Sequence, residues 1–395
     1  MTTNWKTLAK QLEPQLIAWR RDFHQHPELG FNETRTCEVI LEVLAQAGID
    51  DVRRIEPTGV VATIHGGLPG PLGLLRVDID ALPIQEETGA DYASTISGRM
   101  HACGHDGHIA IGLGVVTMLQ KNQAKLAGDI RILFQPAEEG LGGAARCIEE
   151  GVLLDPEPSF ALGLHLWNTQ SVGWLGITSG AVMAGSDRIE ISLHGAGGHG
   201  AAPHLAKDVV LAGAYVLTAL QTIIPRNVDP LEPAVLSMTT FHAGDADNVI
   251  PQNARLEGTL RTMDADVRAC ILSRLEAIVH HQASAFACEV EAVITPLTAS
   301  LVNDPGVTDV VCARAEVLFP DAEICRDERV MASEDMAEFL QRVPGCYFFV
   351  GSADPSRGLD YSHHHPKFDF DESVLAVAAA LMADSACTLL QEFHA

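Results

Sequence analysis

The chain alternates short apolar runs with helix-like stretches over most of its length, and this alternation constrains the fold more than any other feature. Helical spacing of apolar residues covers 3–23 and 34–47. Apolar runs bounded by Gly, Pro or Asp predict strands at 60–64, 72–77, 130–134 and 160–166, with helices between them near 109–119 and 143–150. Such runs are typical of strands buried within an α/β sheet. The first part of the chain is therefore predicted to form a layered, mixed-sheet α/β domain.

A different pattern begins near residue 186. It predicts, in order, a strand at 188–194, a helix at 204–224, strands at 234–242 and 254–261, a helix at 264–285 and a strand at 288–295. This β-α-β-β-α-β order is the ferredoxin-like arrangement, and about 110 residues suffice for a separate domain. Helix and strand alternation then resumes, with Asn303-Asp304-Pro305 as a helix start. We therefore predict one domain formed by 1–185 and 299–395, interrupted by an inserted domain at 186–298.

The overall charge excludes some classes of partner. Asp and Glu number 52 against 26 Lys and Arg, which gives a net charge of −26. Nucleic acid and anionic lipid are bound through Lys and Arg, so neither is a predicted partner.

The sequence also bears on location. Residues 1–10 carry no apolar signal-peptide core, and the longest apolar run, 374–383, is well short of the roughly 18 residues that span a bilayer. Nine cysteines without regular spacing do not resemble a secreted disulfide framework. These features predict a cytoplasmic protein.

The densest group of reactive side chains is MHACGHDGH at 100–108. His101, Cys103, His105 and Asp106 place four potential metal ligands within six positions. The spacing of Cys103 and His105 is too short for a zinc-finger knuckle, so a metal site here would need ligands from distant segments. A Gly-rich loop with surface histidines and a cysteine nucleophile paired with histidine are the two alternatives.

Other polar residues follow the predicted strands, where open α/β sheets bind ligands. Glu138 and Glu139 follow the run at 130–134, and Asp78 and Asp80 follow the run at 72–77. Taken singly, such carboxylates are most often solvated turn residues.

Histidines supply the remaining candidates. His165 lies alone in an apolar strand, three histidines at 363–365 precede Pro366, and His199 lies in the Gly-rich loop 195–200. That loop matches G-x-G-x-x-G but lacks the acidic residue about 20 positions on that a dinucleotide site needs. Taken together, a thiol, several imidazoles and several carboxylates at strand ends are the ligand set of a two-metal hydrolytic site.

Nine segments carry a family resemblance, and they occur in order across nearly the whole chain. They are RRDFHQHPELGFNE (20–33), RVDIDALPIQEETG (76–89), MHACGHDGH (100–108), FQPAEEG (134–140), GLHLW (163–167), GAGGHGAAPH (195–204), NVIPQNARLEGTLRT (248–262), SEDMAEF (333–339) and HHPKFDFDE (364–372). With them the chain resembles the M20 family of two-metal exopeptidases. Within that family it is most similar to the amidohydrolase branch of hippurate hydrolases, N-acyl-amino-acid amidohydrolases and auxin-conjugate hydrolases.

The resemblance implies a zinc-exopeptidase-like α/β/α catalytic domain with an inserted lid that often dimerises. It implies two divalent cations per subunit, with Zn, Mn, Co and Ni as the candidate metals. The implied ligands are Cys103, His105, Glu139, His165 and His364.

The resemblance also assigns roles to other residues. Glu138 would be the general base and acid, Asp80 would orient a metal ligand, and His199 would stabilise the oxyanion in the site of a neighbouring subunit. Asn248 and Arg261 fall in a matching segment as candidate substrate-binding residues. The implied assembly is a homodimer or a higher homo-oligomer.

Two departures from the family pattern stand out. The segment ITPLTASLVND (294–304) replaces a stretch that is commonly rich in Tyr and Pro, which puts the substrate pocket in question. The triple histidine makes the register of the last ligand ambiguous. The family pattern places that ligand two residues before Pro366, at His364, with His363 and His365 as alternatives.

The implied reaction is hydrolysis of the amide bond of an N-acyl amino acid by a metal-activated water, which yields a carboxylic acid and a free amino acid. Three alternatives remain. One is a dipeptidase or aminoacylase of the same clan. The second is a Cys103-dependent hydrolase that would stay active after metal chelation, and the third is a non-catalytic binder of small acylated ligands.

Overall fold

The computed structural model describes residues 3–394, which divide into two compact units. The first unit contains the chain up to Gly180, Val302–Glu328 and the chain from Asp335 onward. The second contains Ala181–Leu301 and returns at Arg329–Glu334. The boundaries predicted from the sequence are 185/186 and 298/299, and the return of 329–334 to this unit was not predicted.

Within residues 3–394 there are ten α-helices. They are α1 (Trp5–Gln25), α2 (Thr34–Gln46), α3 (His105–Lys121), α4 (Gly143–Glu149), α5 (Val209–Leu220), α6 (Ile223–Asn227), α7 (Ala265–Ala285), α8 (Pro305–Leu318), α9 (Ala337–Leu340) and α10 (Val374–Glu392). Single 3₁₀ turns lie at Gln123–Lys125, Pro203–Leu205 and Pro355–Arg357.

The same residues form sixteen strands. They are β1 (Asp51–Arg54), β2 (Val60–Ile64), β3 (Leu68–Asp78), β4 (Ala127–Gln135), β5 (Phe160–Ser171), β6 (Trp174–Gly176), β7 (Gly180–Met183), β8 (Gly185–His194), β9 (Gly198–His199), β10 (Ala234–Ala243), β11 (Val249–Ile250), β12 (Asn253–Thr262), β13 (Glu289–Thr298), β14 (Leu301–Asn303), β15 (Glu323–Cys325) and β16 (Gly345–Ala353).

The first unit is built on an eight-stranded mixed sheet with the order β1-β2-β4-β3-β5-β16-β6-β15. Strand β3 runs parallel to both β4 and β5, and β5 runs parallel to β16. Strand β16 is buried along its whole length, as expected for a central strand covered on both faces. Because β3, β4 and β5 are parallel, their carboxyl ends lie at one edge of the sheet.

Helix α10 is a core element of this unit. It is long and apolar enough to cross a membrane, but 78% of its most apolar window is buried inside the protein. Such burial is typical of a helix packed within a globular core. The N-terminal helix α1 and the helix α3, which begins at the site, pack against it.

The second unit has a four-stranded antiparallel sheet with the order β10-β12-β8-β13. In β8 the side chains of Ile189, Ile191 and Leu193 are fully buried and alternate with more exposed ones, and they pack with residues of α5 and α7. Strand order and connectivity are those of a ferredoxin-like fold. The predicted fold class, a mixed α/β domain with an inserted ferredoxin-like domain, is confirmed.

The single helix predicted over 204–224 is wrong. Helix α5 begins only at Val209, where the Asp208 carboxylate accepts hydrogen bonds from the backbone N–H groups of Val210 and Leu211. It ends at Leu220, and the short helix α6 follows. The break has a local cause, because the ring of Pro225 cannot be accommodated beside the carbonyl of the residue four positions earlier in a continuous helix.

The start of α8 gives a test of the fold. Asp304 is its N-cap and accepts a hydrogen bond of 2.9 Å from Val307 N–H, so Asp304→Ala should lower the free energy of unfolding by about 1 kcal/mol. Asp309→Ala removes the same charge from an exposed position of the same helix and serves as the control. Urea unfolding followed by circular dichroism measures both, and equal losses would contradict the capping role.

Candidate metal centre

Most of the predicted site residues lie within or just beyond three parallel strands and at the start of one helix. Asp80 lies just beyond β3, Glu138 and Glu139 lie just beyond β4, and His165 lies within β5. Helix α3 begins at His105, directly after Cys103 and a Gly104 in the left-handed conformation. The fold thus brings together residues that are distant in sequence, such as Cys103 and His165, which are 62 positions apart.

These side chains converge on a small volume. The Cys103 Sγ lies 3.5 Å from His165 Nε2, and Glu139 Oε1 lies 3.2 Å from His364 Nε2 and 4.0 Å from His105 Nε2. Three sets have their ligand atoms within 4.8 Å of one another: Cys103, His105 and His165; Cys103, Glu139 and His364; and His105, Glu138 and Glu139. All five ligands implied by the resemblance, together with Glu138, therefore meet in one cluster.

The two buried histidines present the same ring nitrogen to this cluster. His105 Nδ1 donates to the backbone oxygen of Asp80 at 2.9 Å, and His165 Nδ1 donates to that of Leu166 at 2.7 Å. The Nε2 atoms thereby keep their lone pairs in the neutral ring. His105 Nε2 is buried and has no hydrogen-bond partner among the described residues. A cation fits this orphaned nitrogen and the surrounding thiol, imidazole and carboxylate groups.

Asp80 connects two of the candidate ligands. Its Oδ1 lies 3.3 Å from His105 Nδ1, and its Oδ2 accepts a hydrogen bond of 3.0 Å from the backbone N–H of Glu139. The side chain itself is buried. Asp80 thus lies behind the cluster, where it orients one ligand ring and the backbone of another ligand.

The structure separates the three neighbouring histidines. His364 points its Nε2 to Glu139, and its backbone N–H donates to the carbonyl of Ala102 at 2.8 Å. His363 donates instead to the carbonyl of Leu166, and the ring of His365 stacks on Tyr361 with centroids 4.6 Å apart. The φ angle of His364 is +65°, an uncommon conformation for a residue with a side chain, and such strain often marks a functional position.

A second cluster of Asp78, His105 and His108 is also compact enough for a metal. Here the polar atoms already have partners. Asp78 accepts hydrogen bonds from Arg76 at 2.8 Å and from His108 Nδ1 at 2.6 Å, and His108 Nε2 accepts from Leu166 N–H at 3.0 Å. Both nitrogens of His108 are therefore in use, and the cluster is a hydrogen-bonded support beneath the sheet edge.

The carboxylates set the charge states of the candidate ligands. Burial alone lowers the pKa of His105, but Asp78, Asp80 and Glu139 together raise it to about 10. Burial also lowers the pKa of His165, and the neighbouring rings of His108 and His363 lower it further. His165 is therefore neutral, whereas His105 exchanges a proton for a cation when it acts as a ligand.

The thiol of Cys103 is a poor nucleophile in these surroundings. Burial, followed by the charges of Glu139 and Glu138, raises its pKa well above the usual value for cysteine. A cysteine nucleophile needs positive surroundings that favour the thiolate, and this thiol faces carboxylates instead. These surroundings disfavour the Cys103-dependent hydrolase. They suit a thiol that loses its proton when it coordinates a cation.

Two other residues of the 100–108 segment lie outside the ligand sets. His101 is buried, and burial lowers its pKa to about 3. Asp106 accepts hydrogen bonds from Arg20 at 2.7 Å and from His24 at 2.8 Å. Both partners of Asp106 lie in the matching segment 20–33, and the sequence pattern did not predict their contact with it.

The second unit holds the remaining predicted site residues. His199 is exposed, and its Nδ1 accepts a hydrogen bond of 3.0 Å from the backbone N–H of Ala201. His199 and Asn248 line the same open depression on this unit. The guanidinium of Arg261 donates to Ser333 Oγ at 2.7 Å, and burial lowers its pKa.

Comparison with known proteins places this geometry in a family. The model of peptidase family M20/M25/M40 matches residues 74–387. The chain belongs to this family. The match confirms the predicted family and the prediction of a metal-dependent hydrolase.

Relatives and solved structures agree. Thermostable carboxypeptidase 2 of Saccharolobus solfataricus is 38% identical over 96% of this chain and 97% of its own. N-acetyl-L-cysteine deacetylase of Bacillus subtilis is 39% identical over 96% of this chain and 89% of its own. The crystal structure of the Bacillus subtilis YXEP protein, a dinuclear metal-binding peptidase of the M20 family, superimposes with a TM-score of 0.85 at 33% identity, covering 97% of this chain and 99% of its own. The amidohydrolase prediction is confirmed, and two divalent cations are supported.

Cobalt substitution tests whether Cys103 is a ligand. The Co²⁺-loaded protein should show thiolate-to-cobalt charge-transfer absorption in the near ultraviolet, because a coordinated thiol is deprotonated. Cys103→Ser should lose this band, whereas Cys270→Ser, a change at an exposed thiol, should keep it. Persistence of the band in the Cys103→Ser protein would remove Cys103 from the ligand set.

Proposed function

We propose that this M20 enzyme hydrolyses the amide bond of N-acyl amino acids, with Cys103, His105, Glu139, His165 and His364 holding two divalent cations. The observation that carries the proposal is the convergence of a thiol, three imidazoles and adjacent carboxylates at one sheet edge. When bound, such cations polarise an amide carbonyl and acidify a water. Zn, Mn, Co and Ni all suit this mixed donor set.

Glu138 is the proposed proton shuttle. It is next to Glu139 in the turn after β4, and its carboxylate lies within 4.8 Å of ligand atoms of His105 and Glu139. From there it takes a proton from the attacking water and returns it to the leaving nitrogen, so that one carboxylate serves as base and then as acid. Asp80 holds His105 and the backbone of Glu139 during these steps.

His199 is the proposed oxyanion donor. Because its Nδ1 accepts the Ala201 N–H, the neutral ring carries its proton on Nε2, where it is available to a substrate. The developing negative charge on the carbonyl oxygen strengthens this hydrogen bond in the transition state. Following the family resemblance, we assign this contact to the site of a neighbouring subunit.

Arg261 and Asn248 are the proposed substrate-binding residues. The half-buried guanidinium of Arg261 has a hydroxyl partner in Ser333, and no ion pair to it occurs in the part of the chain that the structure describes. A guanidinium in this state favours a carboxylate, which every N-acyl amino acid carries. Asn248 lies beside His199, where its amide offers a hydrogen bond to the substrate amide.

The proposed assembly is a homodimer formed through the second unit. The first turns of α5 and the residues before it expose Leu205, Val210, Leu211 and Tyr215, and Leu205 is 76% exposed. Neighbouring exposed apolar side chains of this kind are typical of contact surfaces.

The proposed location is the cytoplasm. All nine cysteines are free thiols, as is usual for proteins of a reducing compartment.

One relative is named a carboxypeptidase and another a deacetylase, so a peptide substrate is the second candidate within the class. Peptides and N-acyl amino acids present the same amide and carboxylate and differ at the acyl group. A panel of N-acetyl, N-benzoyl and longer N-acyl amino acids, with dipeptides and C-terminally amidated versions, separates them by kcat/KM. Equal rates on the amidated and free-acid compounds would contradict recognition of the carboxylate.

The Glu138→Gln variant tests the proton shuttle. It should retain both metals and bind substrate normally, while kcat falls by about 10² to 10⁴, because Gln cannot carry the proton. Glu139→Gln is the matched control, and it should lose metal. Elemental analysis and steady-state kinetics provide the readouts, and metal loss in Glu138→Gln with retention in Glu139→Gln would reverse the two roles.

Mixing two inactive variants tests the site between subunits. Heterodimers of His199→Ala and Glu138→Gln contain one intact composite site, so a one-to-one mixture should recover up to about a quarter of the wild-type activity. A mixture of Glu138→Gln and Cys103→Ser should recover no activity. Both residues belong to the metal-binding unit of their own chain, so each site of the heterodimer lacks one of them. If subunits exchange and the first mixture stays inactive, His199 acts within its own chain or has no role in the reaction.

A further inference from the structure

A buried carboxylate lies behind the turn that carries Glu138, and neither the metal set nor the proton steps use it. Glu33, the N-cap residue of α2, has a fully buried side chain. Its Oε1 accepts a hydrogen bond of 2.9 Å from the backbone N–H of Ala137, and its Oε2 accepts one of 2.5 Å from the Thr58 hydroxyl. Ala137 immediately precedes Glu138.

The turn that Glu33 contacts has a strained backbone. Ala137 has a φ of +55°, in the left-handed region that residues with a side chain seldom occupy. The surrounding backbone is close: a Cβ on Gly143 would lie 1.7 Å from the Pro136 oxygen, and a Cβ on Gly30 would lie 3.1 Å from Ala137 Cα. Strain of this kind persists only where surrounding contacts hold it, and here the Ala137 N–H has a carboxylate acceptor.

Glu33 is an unfavourable residue for this location on stability grounds alone. No ion pair to it occurs within residues 3–394, and burial raises its pKa to about 7. A buried acid without a cationic partner destabilises a fold, and groups that break such rules are expected at functional sites. The hydrogen bond from the Ala137 N–H is the contact that Glu33 Oε1 makes at the turn.

We infer that Glu33 is a positioning residue that fixes the Ala137 turn and so aims the Glu138 carboxylate at the reacting water and leaving nitrogen. The inference rests on the proposed role of Glu138. Two carboxylates restrain this turn at different residues. Asp80 accepts the backbone N–H of Glu139, and Glu33 accepts the backbone N–H of Ala137. Loss of the Glu33 contact therefore affects proton transfer more than metal retention.

Glu33→Met and Glu33→Gln test this inference in the metal-loaded enzyme. Met fills a similar volume but offers no acceptor, so kcat should fall by about 10- to 100-fold, as expected when a catalytic group is misplaced by an ångström. KM should change by less than about threefold, and the metal content should stay that of the wild type. Gln keeps a carbonyl acceptor for the Ala137 N–H, and Thr58 can turn to accept from its amide, so Gln should recover most of kcat.

Glu28 supplies the matched control. It lies in the same segment and caps the start of α2, with its carboxylate accepting the backbone N–H groups of Arg35 and Thr36, but it makes no hydrogen bond to the 136–140 turn. Glu28→Met should lower thermal stability and leave kcat within about twofold of the wild type. If Glu33→Met does not fold, Glu33→Asp, which withdraws the acceptor by one methylene, replaces it in the same comparison.

Each other outcome overturns the inference. An unchanged kcat in a folded Glu33→Met protein removes the positioning role, and a rise in KM alone assigns Glu33 to substrate binding. A loss of activity that excess metal restores assigns it to metal retention. The activities of the wild type and of Glu138→Gln are measured first. A wild type that does not hydrolyse N-acyl amino acids contradicts the proposed function. An active wild type with an unchanged kcat in Glu33→Met contradicts only the role of Glu33.

Discussion

The site depends on holding carboxylates, a thiol and imidazoles close together, with the ligand atoms of each three-residue set within 4.8 Å of one another. Negative groups at such distances repel one another strongly in a medium of low dielectric constant, so they stay together only if the protein fixes each of them. Hydrogen bonds from behind provide this restraint. Asp80 binds His105 and the backbone of Glu139, and Leu166 accepts from His165 and His363 through one carbonyl. The cluster is therefore preorganised to take up positive charge.

The mixed sheet explains why the chain can build such a site from distant segments. Parallel β3, β4 and β5 end at one edge, and helix α3 begins there with His105 in its first turn. Hydrophobic burial fixes these elements, because the central strands and α10 form one continuous core. The polar residues at the edge are carried by these elements, which fix their positions. Because the core holds the elements in place, the site can include residues with a strained backbone, such as Ala137 and His364.

The periodicity of the sequence was sufficient to predict most elements and both fold types. Strand β2 was predicted at its observed bounds, and α7 differs from its prediction only by its cap residue, Asp264. The predicted helix over 204–224 failed because apolar spacing does not register the local effects of Asp208 and Pro225. Residues that act through hydrogen bonds behind the site, such as Asp78, His108 and Glu33, could not be assigned from spacing. Their partners lie far away in sequence, and only the folded chain brings them together.

The central claim is that Cys103, His105, Glu139, His165 and His364 bind two metal ions, with Glu138 beside them and not bound to either. Anomalous X-ray diffraction at the zinc absorption edge, on crystals of the zinc-loaded protein, tests it most directly. Two peaks are expected, one or both about 2.3 Å from Cys103 Sγ and each about 2.0 to 2.1 Å from histidine Nε2 atoms of this set. A single peak, or a peak bound by Asp78 and His108, would contradict it.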